Sequence, residues 1–277
     1  TTQVFKMGIA MWIDMDAVQR FLDFYNVQGN KNPAFNNNKG PGKIGLGGSI
    51  IGFLLGVHLT LLVSGLLQGT ISFAMGVWCT YFTCLAFFHF MEFTSTAFYV
   101  PYSLGYSSWI INHSKAYTLA SIVGWAEFWL ELLVFPSLKS SALWPVPALG
   151  LATVAAGQFF RTGAMVTCGA NFNHVIQTEK APDHVLVRKG LYAIFRHPSY
   201  LGFFWWSVGT QILLMNPAAT VVYALASWKF FSERIPYEEE TLCRFFPDYP
   251  EYMATTRIGI PFCKSYQPPA GAAKQKQ

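Results

Sequence analysis

The sequence predicts an all-α fold, a polytopic membrane bundle of six transmembrane helices with a polar pocket at its cytosolic face. Three observations carry that prediction. The chain is 52% hydrophobic and only 12% charged, whereas soluble domains carry about 25% charged residues. Its 25 Phe, 13 Tyr and 9 Trp are the aromatic excess of lipid-facing surfaces and interface belts. Its apolar runs are long, and one extended polar interval, Asn171–Tyr200, interrupts them late in the chain.

Residues 1–43 are polar and rich in Asn, Gly and Lys. Val18–Tyr25 is either a short amphipathic helix on the membrane surface or part of a disordered arm. No cleavable leader is read, because the apolar patch Met7–Trp12 is short and followed by acids. The first span is then its own targeting signal. Residues 44–160 form the N-terminal transmembrane part. Ile44–Leu67 is a membrane helix with Gly45, Gly47, Gly48, Gly52 and Gly56 suited to close helix contact. Ile71–Tyr99 is a longer, tilted one, antiparallel to the first across the short link Gln68–Thr70. Tyr117–Phe135 and Ser141–Phe160 follow. Residues 161–277 hold the loop 171–200, a helical hairpin 201–231 turning at Asn216-Pro217, and the cluster and tail 232–277. The hairpin arms, Leu201–Met215 and Pro217–Phe231, each span roughly 22 Å at about 1.5 Å per residue, short of the roughly 30 Å hydrocarbon core.

Charge sets the orientation. Of 19 Lys and Arg, all but Lys139 and Lys229 fall in residues 1–43, loop 100–116, loop 161–200 or the tail after Phe231. Six spans place those segments on one side, so both termini and both polar clusters face the cytosol. Asn112-His113-Ser114 is a glycosylation sequon that this topology leaves unused. The five cysteines (Cys79, Cys84, Cys168, Cys243 and Cys263) show no metal spacing, and Cys79 and Cys84 read as packing residues within a span. Neither a metal nor a nucleic-acid partner is expected; the lipid bilayer is. Glu92, Glu127, Glu131, His58 and His89 lie within apolar runs. Carboxylates there are costly unless paired or hydrated. Glu127 and Glu131, four apart on one face, act either as internal glue, one protonated or paired with Arg161 or a histidine, or as substrate contacts.

The hairpin should return the chain to the face it left, placing Arg196-His197-Pro198-Ser199-Tyr200 beside Glu233-Arg234-Ile235-Pro236-Tyr237-Glu238-Glu239-Glu240. Each cluster has a purely structural reading. His197-Pro198 can open a helix with Pro at its first position. Pro236 can open another whose first turn carries Glu238, Glu239 and Glu240. Arg234 and Glu238 can be a surface ion pair. Together, a helix N-terminus, an arginine and an acid cluster at the mouth of a membrane cavity suit a charged, two-ended ligand.

These residues carry a resemblance. RHPSYLG (196–202), R-x-x-x-E-E (234–239) and the run NFNHVIQ…H-x-L-V…G-x-Y-x-x-x-RHPSY resemble the isoprenylcysteine carboxyl methyltransferase family over roughly residues 44–262. The looser HPxY plus R-x-x-x-[DE] pattern is shared with membrane sterol reductases and phospholipid methyltransferases. The family implies up to eight spans where six are counted, the difference lying in residues 1–43. The resemblance implies methyl transfer from S-adenosyl-L-methionine to the C-terminal carboxylate of a farnesylated or geranylgeranylated cysteine. The substrates would be processed CaaX proteins such as small GTPases and lamins, at the endoplasmic reticulum membrane with the active site facing the cytosol. It assigns cofactor contacts to Gln177, His184, Val185, Leu186, Val187, Tyr192, His197, Pro198, Ser199, Tyr200 and Glu238. It makes Arg234 the substrate-facing residue and, with Glu238, the catalytic pair.

The chemistry follows from the groups. An α-carboxylate, with a pKa of about 3.3–3.7, is already ionised at neutral pH, so no general base is needed. Alignment and exclusion of water are what the protein must supply. Arg234 suits a two-donor clamp on the carboxylate. Glu239 is expected to matter less than Glu238. The prenyl tail partitions into lipid, and Phe203, Phe204, Trp205, Trp206 and Tyr223 form either its wall or an ordinary lipid-facing surface. The rival readings are a membrane NADPH-dependent sterol reductase and a non-catalytic prenyl-protein receptor. Hydride transfer marks the first, and absence of saturable S-adenosylmethionine binding marks the second.

Overall fold

The computed structural model describes residues 32–111 and 115–267. Six long helices carry the fold: α1 (Pro41–Gln68), α2 (Phe73–Tyr99), α3 (Lys115–Val134), α4 (Pro145–Cys168), α5 (Pro198–Leu213) and α6 (Pro217–Phe245). A short α7 (Tyr249–Thr255) follows, a single turn at Pro33–Asn36 precedes α1, and 3-10 turns occupy several connections. Among the described residues the extended pairing is one isolated parallel bridge, Phe195 with Arg257. Val18–Tyr25, the Asn112 sequon and the tail beyond Gln267 lie outside the described residues.

Local chemistry sets the helix ends. Proline sits at the first turn of α1, α4, α5 and α6, where its missing N–H would have no partner anyway. Gly69, at φ 65°, ends α1 in the left-handed region. The Ser72 hydroxyl accepts from the Met75 amide to start α2. The expected turn at Asn216-Pro217 forms, with Asn216 as N-cap of α6. Its carbonyls are held by the buried Lys139 ammonium, which donates to Leu214 and Met215 at 2.8 and 2.7 Å and pairs with Glu131 at 2.7 Å. The Glu127 carboxylate accepts from the Ala218 and Ala219 amides at 2.8 and 2.6 Å, favoured by the helix dipole. Glu127 and Glu131 thus hold structure together, through Lys139 and α6 rather than through Arg161 or a histidine.

Helices form at the six expected places. Three, Pro41–Gln68, Phe73–Tyr99 and Tyr117–Val134, are long and apolar enough to cross a membrane. α1 and α3 bury only 11% of their most apolar window, against 50% for α2, so α2 lies central while Phe53, Leu67, Leu119 and Leu133 remain exposed. An apolar surface on every side of a helix is a membrane signature. Around α2 the core gathers Tyr81, Phe82, Phe88, Phe128, Trp206 and Leu213.

One expectation is corrected. Pro236 opens no new helix: α6 continues through it to Phe245, 29 residues in all. An internal proline costs about 3 kcal/mol, and burial of Phe231 and Ile235 together with the Glu239 contacts offsets that cost. Arg234 and Glu238 therefore lie four apart on one helical face.

α4 and α5 form the most extensive helix pair. A Cβ on Gly157 would sit 2.4 Å from the Trp206 amide nitrogen, and one on Gly202 would sit 2.4 Å from that of Arg161. Of the α1 glycines expected at close contacts, Gly47 and Gly48 lie against the Trp109 ring, whereas Gly45, Gly52 and Gly56 meet nothing within 4 Å; the close backbone-to-backbone approach is made between α4 and α5. Gly157→Val is expected to destabilise the detergent-solubilised protein by about 1–3 kcal/mol through overpacking. Gly52→Ala should leave its melting temperature equal or slightly raised.

Candidate active site

The site is built on the hairpin. Its first arm, α5, opens at His197 and Pro198. Its second, α6, brings Arg234 and Glu238 to the same end. Arg234 Nε donates to the Tyr200 hydroxyl at 2.7 Å, and that hydroxyl donates to Glu238. Arg234 and Glu238 thus meet on a phenol rather than on each other. The Arg234 guanidinium also lies 5.5 Å from the Tyr200 ring centre, where the π face attracts a cation.

Successive residues on a helix point about 100° apart, given 3.6 residues per turn, and the Glu238-Glu239 pair divides accordingly. Glu239 turns inward and is fully buried. It accepts from Arg196, from His197 at 3.1 Å, from the Ser265 hydroxyl at 2.8 Å and from the Tyr266 amide at 2.7 Å. Arg196 also donates to the Thr256 carbonyl at 2.6 Å. This cluster ties the loop, α6 and the tail together. The expectation that Glu239 matters less than Glu238 is thereby qualified, because its role is in holding the site's frame.

Two cavities meet here, one lined by polar and apolar groups together and the other mostly apolar. The first has about 680 Å³ of open space, the solvent at its mouth included. His184, Val185, Leu186, Val187, Tyr192, His197, Pro198, Ser199, Tyr200 and Glu238 line it. Gln177 does not: its amide donates to the Val175 carbonyl at 2.9 Å and the residue is exposed. The sequence reading did not assign Asn171, Asn173, Phe246, Tyr249 or Tyr252 to this cavity. The first two stood in the quoted NFNHVIQ run, but the three aromatics come from residues after the last motif. Asn171 accepts from the Val185 amide at 2.9 Å, fixing the 184–187 segment.

Burial holds the His184 imidazole below its ordinary range, and the Lys180 charge adds to this. The Tyr192 phenol is pushed well above its ordinary value, first by burial, so it remains protonated at physiological pH. The Tyr249 hydroxyl is buried beside the cavity without a hydrogen-bond partner among the described residues. Amides, a neutral imidazole, a carboxylate and aromatic faces suit a polar ligand that has an aromatic ring and a positive charge. Among the described residues no group of three or more His, Cys, Asp or Glu could hold a metal ion.

The second cavity is apolar and larger, with about 1250 Å³ of open space. It follows the hairpin from Tyr200 and Arg234 to Thr210 and Val222, roughly 15 Å along α5 at about 1.5 Å per residue. Phe203, Trp206 and Tyr223 line it, whereas Phe204 packs into the core and Trp205 is 37% exposed. Phe172, Asn173 and Tyr200 border both cavities. Glu92 takes a two-donor contact from Arg161 at 2.7 and 2.8 Å and a third from His174 at 2.9 Å, while Arg161 donates to Ser199 at 2.6 Å; Arg161 and His174 both border the apolar cavity.

In class, this is a helical membrane protein in which a cavity of mixed polarity and an apolar cavity share a wall. The Isoprenylcysteine carboxyl methyltransferase (ICMT) family profile matches residues 148–244. The chain is 44% identical over 198 residues to the Protein-S-isoprenylcysteine O-methyltransferase of Homo sapiens, covering 70% of this chain and 69% of that one. It is 41% identical to the mouse protein of the same name, covering 80% and 76%. For the Xenopus laevis protein of that name the identity is 48%, and the match spans 64% of that protein's length and 66% of this chain. A solved structure described as the eukaryotic intramembrane Ras methyltransferase ICMT superposes with a TM-score of 0.77 at 35% identity, over 95% of this chain and 92% of that one. The chain belongs to the isoprenylcysteine carboxyl methyltransferase family.

Breaking a buried ion pair by removing one partner costs about 3–5 kcal/mol. Glu239→Gln should therefore lower thermal stability by that order, whereas Glu240→Gln, on the exposed side of the same turn, should stay within about 0.5 kcal/mol. Melting curves of the two purified variants provide the check.

Proposed function

We propose that the protein methylates the C-terminal carboxylate of S-farnesyl or S-geranylgeranyl cysteine on processed CaaX proteins, small GTPases and lamins among them, using S-adenosyl-L-methionine. The observation that carries this reading is the shared wall. A cavity of mixed polarity and an apolar cavity meet at Tyr200, with Arg234 bordering the apolar one and Glu238 the mixed one. Family membership favours this reading over a sterol reductase or a prenyl-binding receptor. The setting is the endoplasmic reticulum membrane, with the Glu238 cavity opening to the cytosol, a reading the Lys and Arg distribution supports. Residues 1–43, 44–160 and 161–277 then serve as an N-terminal polar segment, the N-terminal transmembrane helices and the catalytic half.

The cofactor supplies a methyl group on a positively charged sulfur. His184–Val187, Tyr192, His197–Tyr200 and Glu238 would hold it, with the aromatic side chains of Phe246, Tyr249 and Tyr252 adding apolar and π contacts. Gln177 is kept as a contact only if the 173–183 segment shifts on binding. Arg234 orients the substrate carboxylate from the other side of Tyr200. The nucleophile is already ionised, so the residues act by alignment and by excluding water. Arg234 gives its Nε and one Nη2 donor to Tyr200 and the His174 carbonyl, leaving its other N–H groups for the carboxylate. Excess ground-state binding would raise the barrier. The prenyl chain occupies the aromatic-lined cavity along the hairpin.

Radiolabelled methyl incorporation into farnesylated and non-prenylated cysteine analogues tests the reading, with only the former expected to turn over. Arg234→Ala and Glu238→Ala should each reduce turnover by about 100-fold or more, the cost of misplacing reactants, in protein that remains folded. Near-parental rates would remove that residue from the site. No histidine base is required, so kcat should stay level between pH of about 6.5 and 8.5. His184 charges only below its ordinary range. Acid-side losses should therefore appear in the cofactor KM, as a positive ring weakens binding of a cation, and His184→Gln should remove them.

A further inference from the structure

Arg234 is held by more than Tyr200. Its Nη2 donates to the main-chain carbonyl of His174 at 2.7 Å. That residue lies in an irregular loop, where nothing in the backbone ladder fixes the carbonyl's direction. Its side chain does so instead. His174 Nε2 donates to Glu92 Oε2 at 2.9 Å, and the ring stands edge-on to Phe172 with centres 5.1 Å apart. Glu92, on α2 and 1% exposed, is itself immobilised by the Arg161 guanidinium. The two preceding residues, Phe172 and Asn173, belong with Tyr200 to the wall common to both cavities, and His174 itself borders the apolar one.

We propose that His174 is a positioning residue for methyl transfer: anchored to Glu92, it fixes the partition between the cavities and presents the carbonyl that orients Arg234. The proposal rests on the methyltransferase reading above and extends it to a residue outside the RHPSY and R-x-x-x-E-E motifs. The imidazole N–H contributes direction and moves no proton in the reaction. A loop freed from Glu92 would let Arg234 turn away from the carboxylate, while most of the cofactor cavity, formed by residues 184–200 and α6, would be untouched.

The test uses the full chain in nanodiscs. kcat and KM are measured for N-acetyl-S-farnesylcysteine with a labelled methyl donor, S-adenosylhomocysteine binding is measured by calorimetry, and melting temperature is recorded. His174→Phe keeps a ring and loses the donor. It should lower kcat/KM for the prenylcysteine by about 100-fold, the scale of a misplacement of about 1 Å, with S-adenosylhomocysteine affinity within about twofold. His174→Gln, which retains a donor, should recover at least about tenfold of that loss and serves if the phenylalanine variant fails to fold. In an Arg234→Lys background, His174→Phe should add less than about threefold, because coupled residues are not additive. Parental kinetics in His174→Phe, a matching fall in S-adenosylhomocysteine affinity, full additivity with Arg234→Lys, or no recovery by glutamine would each overturn the proposal. A parental chain that transfers no methyl group at all would sink the methyltransferase reading itself, and this inference with it.

Discussion

One phenolic hydroxyl links the two halves of the site. Tyr200 receives a hydrogen bond from Arg234 and gives one to Glu238, and it borders both cavities. A charged, water-soluble methyl donor and a lipid-soluble tail have no common solvent. A protein that reacts them must hold each in its own medium and let only the reacting atoms meet. Under the proposed reading the hairpin would do this geometrically: α5 carries Tyr200 on its first turn, and α6 returns far enough to bring Arg234 and Glu238 to the same level.

That arrangement depends on buried charge. Glu239 pairs with Arg196 and His197 beside one cavity, and Glu92 pairs with Arg161 and His174 beside the other. Buried pairs contribute little net stability compared with apolar packing. Their value here is directional, since each carboxylate fixes donors from two or more segments at once. The small residues of α4 and α5 allow the close backbone approach that places Arg161 beside Ser199.

The bundle was legible because apolar runs bounded by Gly, Pro and Ser declare membrane helices, and the hairpin turn at Asn216-Pro217 was legible for the same reason. The RHPSY and R-x-x-x-E-E motifs led directly to Tyr200, Arg234 and Glu238. Pro236 misled, because local propensity favours a break there and only tertiary burial of Phe231, Ile235 and Glu239 explains why α6 continues. Glu238 and Glu239 look alike in sequence; one helical step separates a cavity wall from a buried anchor. The pairing of Glu92 with Arg161 and His174, and the part played by Tyr249 and Tyr252, join residues far apart in the chain with no periodicity to announce them. Gln177 shows the converse: a motif position whose side chain turns back onto its own loop.

A structure of the protein in nanodiscs with S-adenosylhomocysteine and a farnesylcysteine bound together tests the central claim most directly. The account predicts the adenosyl ligand among His184–Val187, Tyr192 and His197, the farnesyl chain along Phe203, Trp206 and Tyr223, and the carboxylate on Arg234 with the sulfur facing it past Tyr200. A farnesyl chain bound on the outer, lipid-facing side of the hairpin, or two ligands separated by a closed wall, would contradict it.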